Sequence, residues 1–427
     1  MKRKRWIIPA VLCALAAAAA AYYMLPGSER DEKAGAYAPS GGEESQTVIS
    51  ATEKDDEIAV SWKGDRYGPQ WIRYGKAGTG KKHWRVIKAD REKLFKGAYF
   101  RYHAVLDDLK QGEEYSYETG DGESFSEEKS FKAPERKGET EFLYLGDVQF
   151  DTSLRDYGRW GSMIKKVGKN HPELGFAVMG GDMVNDTLKE DQWNSFFENT
   201  GLFSRIPLMA APGNHEGAGS NRTYKKMFAM PENGPGEDSE TRNRLKEDFF
   251  FFDWGYCRLV IMDSSFLTDK RRENMGRKAW ERCEKAVEGW LEDVLNTVDE
   301  RWLIVVIHHP PYGIHDEEVS RKIRDRWTPV MEKSGVHLVL CGHQHMYMRT
   351  RSINGIIYVM GNSGMRKSGY YNGYNGPFYS RSLYEKGPNY QIIKAGNDTL
   401  ELTSYDEKNL VIDEVSIEKR VTYFRIF

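Results

Sequence analysis

Five short apolar segments of the chain each lead to a side chain that can act as a metal ligand. The segments are residues 142–146, 176–179, 208–213, 302–307 and 336–340, and they lead to Asp147, Asp182, Asn214, His308 and His343, respectively. Carboxylate, amide and imidazole groups are the side chains that bind divalent metals in proteins. One such segment alone is more often a turn or a helix cap, but five of them together predict a metal site.

Asp182 is the central residue of this set. It follows the apolar run 176–179 and two glycines, so it lies at the carboxyl end of a predicted buried strand. Ligands of open α/β sheets bind at that end of the strands. Because a buried carboxylate is costly without a compensating cation, we expect Asp182 to bridge two metal ions.

A layered α/β domain is needed to bring these side chains to one edge. From residue 138 onward, apolar runs alternate with amphipathic segments, which is typical of such a domain. The predicted helices cover residues 154–169, 192–199, 277–298 and 317–333, and the predicted closing strands cover residues 400–405 and 411–418. Residues 217–247 and 361–388 are rich in turn-forming residues, so we expect two long loops there.

A separate all-β domain is predicted in front of the α/β domain. Residues 47–134 contain short segments of alternating polar and apolar residues, rich in aromatic side chains and separated by Gly and Asp turns. This pattern predicts a small antiparallel β-sandwich. The predicted divisions of the chain are an N-terminal segment at 1–25, a linker at 26–46, the sandwich at 47–134 and the α/β domain at 138–427.

Residues 6–25 form an uncharged apolar run directly behind four basic residues. A helix of this length spans roughly 30 Å, the thickness of a bilayer core. The basic residues predict that the N-terminus stays in the cytoplasm and the rest of the chain lies outside. The run is either an uncleaved membrane anchor or a signal peptide, and we favour the anchor because the run is long for a signal peptide. The predicted location is therefore extracytoplasmic, anchored at the cell surface or secreted.

The charge of the chain is nearly balanced, with 62 Lys and Arg against 64 Asp and Glu. A nucleic-acid-binding protein would carry a basic surplus, so no nucleic-acid partner is expected. Outside the N-terminal segment, Cys257, Cys283 and Cys341 are widely spaced. They do not form the pattern of a disulfide framework.

The ordered motifs resemble those of a known family. Residues 146–149 (Gly-Asp-Val-Gln), 181–185 (Gly-Asp-Met-Val-Asn), 213–216 (Gly-Asn-His-Glu), 308–312 (His-His-Pro-Pro-Tyr) and 342–345 (Gly-His-Gln-His) are similar to the motifs of the calcineurin-like metallophosphoesterases. The preceding sandwich, with Tyr-His-Ala-Val-Leu-Asp-Asp-Leu at 102–109, resembles the fibronectin-III-like N-terminal domain of purple acid phosphatases. The resemblance implies a four-layer α/β sandwich behind the all-β domain.

The resemblance also implies a centre of two divalent metal ions such as Mn²⁺, Fe²⁺ or Zn²⁺. It assigns Asp147 and His345 to the first metal, Asn214, His308 and His343 to the second, and Asp182 to both. A phosphate ester would be hydrolysed by attack of a metal-bridging hydroxide. His215 would be the catalytic acid for the leaving group, and Glu216 would support the loop from behind the ligands.

Two positions depart from the family pattern. Gln149 stands where many relatives have a histidine ligand, and Asn185 stands where purple acid phosphatases have the tyrosine that binds ferric iron. Gln149 can bind metal through its amide oxygen, but a neutral amide favours ferric iron less than a phenolate does. We therefore expect a colourless enzyme with divalent metals, in which Asn185 hydrogen-bonds to His215 or to a phosphate oxygen.

The substrate is predicted to be a phosphomonoester or a phosphodiester, with specificity set by the two long loops. Of the adjacent histidines, His309 is expected to face the substrate. Tyr312, Arg366, Tyr370, Tyr371 and Tyr374 either line a pocket for the leaving group or pack within the loops. The alternative is a non-catalytic surface-binding protein with structural metals, which the intact ligand set and His215 argue against.

Overall fold

The computed structural model describes residues 46–419 except 65–67, 96–98, 136, 151–153, 218–221, 297–300, 367–376 and 378. The predicted membrane segment and nearly all of the predicted linker lie outside the described residues. Among the helices that are described, none combines the length and the apolar composition that a bilayer crossing requires.

The N-terminal domain is an antiparallel β-sandwich, as predicted. Its strands are β1 (Val48–Ala51), β2 (Ile58–Gly64), β3 (Trp71–Lys76), β4 (Arg85–Lys88), β5 (Asp90–Leu94), β6 (Tyr99–Leu106), β7 (Glu114–Gly120) and β8 (Lys129–Lys132). They form two four-stranded sheets with the orders β1-β2-β6-β5 and β4-β3-β7-β8. The alternating residues Ile58, Val60 and Trp62 of β2 enter the core between them. Period-two patterning therefore places one face of each strand in the core.

Two further sheets build the C-terminal domain. Their strands are β9 (Thr140–Leu145), β10 (Leu174–Met179), β11 (Leu208–Ala210), β12 (Phe249–Trp254), β13 (Cys257–Met262), β14 (Trp302–Ile307), β15 (Leu338–Cys341), β16 (Tyr347–Thr350), β17 (Ile357–Met360), β18 (Ser380–Tyr384), β19 (Asn389–Ala395), β20 (Thr399–Asp406) and β21 (Val411–Glu418). The sheet orders are β11-β10-β9-β19-β20-β21 and β12-β13-β14-β15-β17-β16-β18. The closing strands β20 and β21 confirm the prediction for residues 400–405 and 411–418.

Helices cover the outer faces of these sheets. They are α1 (Leu154–Asn170), α2 (Glu190–Phe197), α3 (Asn214–Gly217), α4 (Arg222–Met227), α5 (Ser239–Leu245), α6 (Asp269–Met275), α7 (Arg277–Asn296), α8 (Glu318–Arg326) and α9 (Thr328–Lys333). In β13, Leu259 and Ile261 join the core shared with the other sheet, whereas Val260 and Met262 join the core under α7. This alternation gives the layer order helix, sheet, sheet, helix, which agrees with the four-layer α/β fold expected from sequence.

The predicted helix at residues 317–333 is two helices in the structure. The break falls at Trp327, which ends α8 and precedes α9. Pro329 lies in the first turn of α9, where its missing N–H costs nothing, but it cannot donate the hydrogen bond that a continuous helix would make to the carbonyl four residues earlier. The proline therefore explains why one amphipathic pattern gives two helices.

The long loop expected at residues 217–247 was a wrong prediction in part, because it contains α4 and α5. Asp238 caps α5, since its carboxylate accepts a hydrogen bond from the N–H of Thr241 at 2.8 Å. Such a cap stabilises a short helix within a segment whose composition is typical of loops. The second predicted loop contains β18, and ten consecutive residues of it lie outside the described part.

The sandwich contacts α2, α4 and the segment between α2 and β11. Arg101 on β6 is fully buried, and its guanidinium donates to Met227 O at 3.1 Å and to Gln46 O at 2.8 Å. The same guanidinium lies 4.1 Å from the ring centroid of Phe197. Tyr117 donates its hydroxyl to Ser204 O at 2.7 Å. The contacts with Phe197, Ser204 and Met227 hold α2, the segment after it and α4 against the sandwich.

Candidate metal centre

The predicted ligands meet at one end of the two large sheets. Strands β9, β10 and β11 are neighbours and run parallel, as do β14 and β15. Their carboxyl ends therefore open on the same edge, and the residues that follow them form one cluster. Asp147 follows β9, Asp182 follows β10, Asn214 follows β11, His308 follows β14, and His343 and His345 follow β15.

Asp182 belongs to two ligand groups. One group is Asp182, His308 and His343, and the other is Asp147, Asp182 and His345, with the ligand atoms of each group within 4.8 Å of one another. Asp182 is 1% exposed, and its Oδ2 lies 3.2 Å from His308 Nε2. One carboxylate is thus shared by two sets of donors.

Asn214 completes the group around His308 and His343. Its Oδ1 lies 3.0 Å from His308 Nε2 and 2.8 Å from His343 Nδ1. The amide oxygen and the two imidazole nitrogens therefore face one another, which is the arrangement expected of donors around a common cation.

Gln149 is placed beside the other group. Its side-chain amide nitrogen lies 2.6 Å from His345 Nε2, and its buried Oε1 has no hydrogen-bond partner in the described part of the chain. The two ends of an amide are assigned from their contacts, so the reversed orientation would turn the oxygen toward His345. A buried amide without a partner is uncommon. The amide of Gln149 therefore fits a metal held by Asp147 and His345.

The outer nitrogens of two histidines are held by hydrogen bonds. His308 Nδ1 lies 2.7 Å from Gly180 O, and His343 Nε2 lies 2.9 Å from Glu317 Oε2. Each of these nitrogens carries the proton, since its partner is an acceptor. His308 Nε2 and His343 Nδ1 are the nitrogens directed at the cluster, and they would bind a metal in the deprotonated form.

The backbone at the ligands adopts an unusual conformation. Asp182, His343 and His345 have φ values of 54°, 77° and 51°, in the left-handed region that side chains other than glycine rarely adopt. Such conformations persist where the surrounding structure enforces them, and they concentrate at functional sites.

Glu216 holds the backbone of the Asp182 loop. Its carboxylate accepts hydrogen bonds from the N–H groups of Asp182 at 2.8 Å, Met183 at 3.0 Å and Gly213 at 3.0 Å. Burial and the nearby charge of Asp182 raise the pKa of Glu216 to about 8. Glu216 thus joins the loops that carry Asp182 and Asn214, as its expected supporting position requires.

The charges of Asp182 and His308 depend on each other. Burial would lower the pKa of His308, but the Asp182 carboxylate outweighs burial and raises it to about 10. Burial would likewise raise the pKa of Asp182, and His308 instead lowers it below the ordinary value. Asp182 therefore stays ionised at the centre of the cluster, where a cation is favoured.

His215 lies beside the cluster without joining either group. Its Nδ1 lies 2.5 Å from Asn185 O, and its Nε2 lies 3.8 Å from Asp182 Oδ2. The side chain is 26% exposed, whereas that of Asp182 is 1% exposed. Because Nδ1 donates to the carbonyl, Nε2 is the nitrogen available to a molecule bound at the cluster.

The structure places the remaining predicted residues around the cluster. The side chain of Asn185 accepts a hydrogen bond from Arg366, and its backbone oxygen contacts His215. His309 was expected to face the substrate, but it is buried, with Nδ1 2.8 Å from Ser264 Oγ and its ring 4.2 Å from that of His343. It therefore packs behind the ligands.

Tyr312 packs within the loops. Its ring lies 4.9 Å from the ring of Tyr358 and 5.6 Å from that of Tyr379, and Arg324 lies over it. Of the two predictions made for this residue, the structure favours loop packing. Tyr370, Tyr371 and Tyr374 lie outside the described residues.

Three supporting residues escaped the sequence analysis. They are Glu317, Ser264 and Gln344. Glu317 contacts His343, and Ser264 contacts His309. The side-chain amide of Gln344 accepts a hydrogen bond from the N–H of Ile314 and donates one to Glu317. Gln344 lies inside a recognised motif, so its position was a usable signal. Glu317 and Ser264 have no spacing relationship to the ligands, and only the fold brings them close.

Comparison with known proteins agrees with this architecture. The calcineurin-like phosphoesterase model matches residues 140–347, and the purple acid phosphatase N-terminal domain model matches residues 45–133. The structure of purple acid phosphatase PPD1 from yellow lupin seeds shares the fold, with a TM-score of 0.67 at 17% identity over 87% of this chain and 74% of that chain.

Two curated relatives show how far the similarity extends. An uncharacterized protein of Mycobacterium tuberculosis is 25% identical over 197 residues, which cover 43% of this chain but only 36% of that protein. Probable purple acid phosphatase 20 of Arabidopsis thaliana is 24% identical over 345 residues, covering 72% of this chain and 73% of that protein. The ligand cluster thus lies in a calcineurin-like phosphoesterase domain, and the domain in front of it matches the N-terminal domain of the purple acid phosphatases.

Proposed function

We propose that the protein is a metal-dependent hydrolase of phosphomonoesters or phosphodiesters. The observation that carries the proposal is the shared position of Asp182 in two ligand groups. A carboxylate shared by two cations holds them close together, as two-metal phosphoesterases require. The family of the chain supports the same reaction class.

Seven side chains would hold the two metals. Asp147, Gln149 and His345 would hold the first, Asn214, His308 and His343 the second, and Asp182 both. When bound, the metals would activate a water for attack and neutralise the phosphate oxygens. The donor set of carboxylate, amide and imidazole groups suits Mn²⁺, Fe²⁺ or Zn²⁺.

His215 would supply the proton that the leaving alkoxide needs. The backbone carbonyl of Asn185 orients the ring of His215. The backbone N–H of His215 donates to Asp182 Oδ1 at 3.0 Å, which fixes the residue next to the ligands. An acid at this place can protonate the leaving oxygen as the phosphorus–oxygen bond breaks. Nε2, the ring nitrogen that does not contact Asn185, is the one that a substrate at the cluster would meet.

We propose divalent metals rather than ferric iron. Tyr144 lies near Asp147, but its hydroxyl donates to Cys341 O at 2.6 Å and burial raises its pKa well above the usual range. The side chain of Asn185, at the position of the iron-binding tyrosine of purple acid phosphatases, contacts Arg366 instead. Neither residue would supply a phenolate ligand.

We also propose that the catalytic domain acts outside the cytoplasm. The support is the basic, then apolar N-terminal sequence, which is typical of a membrane anchor or a signal peptide. Its cleavage would decide whether the protein is secreted or stays at the cell surface.

The experiment that tests the function compares two substrates under two metal conditions. Purified protein is assayed with p-nitrophenyl phosphate and bis-p-nitrophenyl phosphate, with added Mn²⁺ or with EDTA, and Asp182→Ala is the matched control. We expect hydrolysis of at least one ester with Mn²⁺ and little with EDTA or in the variant. Metal binding without hydrolysis of either ester would instead favour the non-catalytic binding protein.

A further inference from the structure

Arg366 is anchored next to the ligand loops. It follows β17 and a turn in which Gly364 N donates to Asp147 O at 2.6 Å. The buried Asn362 donates from its side chain to Gly364 O and to Arg366 O, both at 3.1 Å. The backbone of Arg366 is thus tied by a buried amide to the loop that carries a metal ligand.

The guanidinium of Arg366 contacts the residue that also contacts His215. Its Nη1 is 3.3 Å from Asn185 Oδ1, and the backbone oxygen of the same Asn185 contacts His215. Gly364, two residues before Arg366, donates its N–H to the carbonyl oxygen of the ligand Asp147. Arg366 is therefore held near a ligand of the first group and is linked to His215 through Asn185.

The side chain of Arg366 is exposed. Among the residues that the structure describes, no carboxylate lies within ion-pair distance of its guanidinium. The Asn185 amide oxygen accepts a hydrogen bond from one of its five N–H groups. An exposed guanidinium beside a cluster that would hold phosphate is well suited to an anionic oxygen, because its planar donors match phosphate geometry.

The two candidate substrate classes differ in the number of unesterified phosphate oxygens that such a guanidinium could bind. A monoester phosphate has three unesterified oxygens and two negative charges near neutral pH. A diester phosphate has two unesterified oxygens and one negative charge, and an organic group replaces the third oxygen. A cation at the rim of the cluster therefore gains more from a monoester than from a diester.

We propose that Arg366 binds the substrate's phosphoryl group and makes the site selective for phosphomonoesters over phosphodiesters. The proposal rests on the proposed function and adds its substrate class. Asn185 holds the guanidinium in place. Purple acid phosphatases have a metal-binding tyrosine at the position of Asn185, whereas in this chain the residue there would support substrate binding through Arg366.

The test uses Arg366→Gln and Arg366→Lys, with Arg277→Gln as the control. Arg277 is an exposed arginine at the start of α7, with its side chain 72% accessible. Each protein is loaded with Mn²⁺, its metal content is measured, and binding of inorganic phosphate and of dimethyl phosphate is followed by calorimetry at about pH 8. The values of kcat/KM for both p-nitrophenyl esters are then compared.

We expect Arg366→Gln to keep its metal content. It should bind inorganic phosphate roughly tenfold more weakly, because one charge-assisted hydrogen bond is lost. Binding of dimethyl phosphate should change less than about twofold. The monoester kcat/KM should fall by a similar factor of about ten while the diester value stays nearly constant. The phosphate affinity and monoester kcat/KM of Arg366→Lys should lie between those of the wild type and Arg366→Gln. Arg277→Gln should match the wild type in both.

Unchanged phosphate affinity in Arg366→Gln would overturn the proposal, as would equal losses for both phosphates or a loss of metal. Failure of the proposed function gives a different result. In that case the wild type hydrolyses neither ester. The binding of inorganic phosphate and of dimethyl phosphate then decides whether Arg366 distinguishes a phosphate dianion from a diester monoanion.

Discussion

The Nε2 atom of His343 lies 2.9 Å from Oε2 of Glu317, in the loop that precedes α8. The second carboxylate oxygen of Glu317 accepts a hydrogen bond from Gln344 at 3.0 Å. This loop therefore fixes which nitrogen of His343 carries the proton and leaves Nδ1 to face Asn214. A carboxylate behind a metal-binding histidine also increases the basicity of the ring.

Replacing Glu317 should weaken metal binding. Glu317→Gln keeps the shape of the side chain but removes its charge, so His343 loses the partner that orients and polarises it. We expect an affinity for Mn²⁺ that is lower by about tenfold or more at the more weakly bound site. Titration of metal-free protein with Mn²⁺, followed by calorimetry, measures this change.

Glu318→Gln is the matched control for this variant. Glu318 is the next residue, but its side chain is exposed and pairs with Lys322 at 2.8 Å. Its replacement should leave Mn²⁺ affinity unchanged. Equal affinities for Glu317→Gln and wild type would show that Glu317 does not support the metal centre.

Removing Asp182 should empty both metal positions. Asp182 is the one residue shared by the two groups, so Asp182→Ala deprives each metal of a charged ligand. His345→Ala removes a ligand from one group only. Elemental analysis should therefore give about two metals per wild-type chain, about one for His345→Ala and close to none for Asp182→Ala. Retention of two metals by Asp182→Ala would rule out a bridging role.

The ligand cluster was accessible from the sequence because each ligand follows an apolar strand. Parallel strands place their carboxyl ends at one edge, so the order of Asp147, Asp182, Asn214 and His308 already implied a common location. Glu317 and Arg366 lie in loops, and their contacts with His343 and Asn185 depend on how those loops fold back. No periodicity in the chain reports such contacts. Glu317 was therefore missed, and for Arg366 the sequence left open the choice between a pocket and loop packing.

The predicted secondary structure failed where a local feature overrode composition. Residues 217–247 have the composition of a loop, yet the Asp238 cap allows α5 to form. Residues 317–333 have one amphipathic pattern, yet Pro329 divides it. The prediction that His309 faces the substrate was also wrong. The two residues of the His-His pair point to different environments, and the sequence does not show that His309 is the one that contacts Ser264.

The metal-loaded protein should lack the visible colour of a ferric phenolate. Asn185 takes the position of the tyrosine, and Tyr144 is committed to Cys341 O. We expect no strong charge-transfer band in the visible spectrum of the protein, whether purified or reconstituted with iron. A strong band in wild-type protein that persists in Asn185→Ala would point to another tyrosine and contradict the divalent centre.

The interface between the two domains should depend on Arg101. Its buried guanidinium satisfies the carbonyl oxygens of Gln46 and Met227. Arg101→Ala leaves these acceptors buried without this partner, so we expect the free energy of unfolding to fall by about 3–5 kcal/mol. Urea unfolding measures the change, with Arg91→Ala, an exposed arginine of the neighbouring strand β5, as the control. A loss below about 1 kcal/mol would mean that water replaces the guanidinium at this interface.

His215 provides the sharpest separation of chemistry from metal binding. The residue contacts the ligand Asp182 through its backbone N–H, so the ring can be removed without removing a metal donor. We expect His215→Ala to retain both metals while kcat falls by about 10²–10⁴, the usual contribution of a general acid. The loss should be smaller for a substrate with a good leaving group such as p-nitrophenolate, since that group needs less protonation, and larger for an alkyl phosphate. His83→Ala, an exposed histidine of the sandwich, should behave as the wild type. If His215→Ala lowered kcat equally for aryl and alkyl esters, His215 would act on the phosphoryl group rather than as the acid for the leaving oxygen.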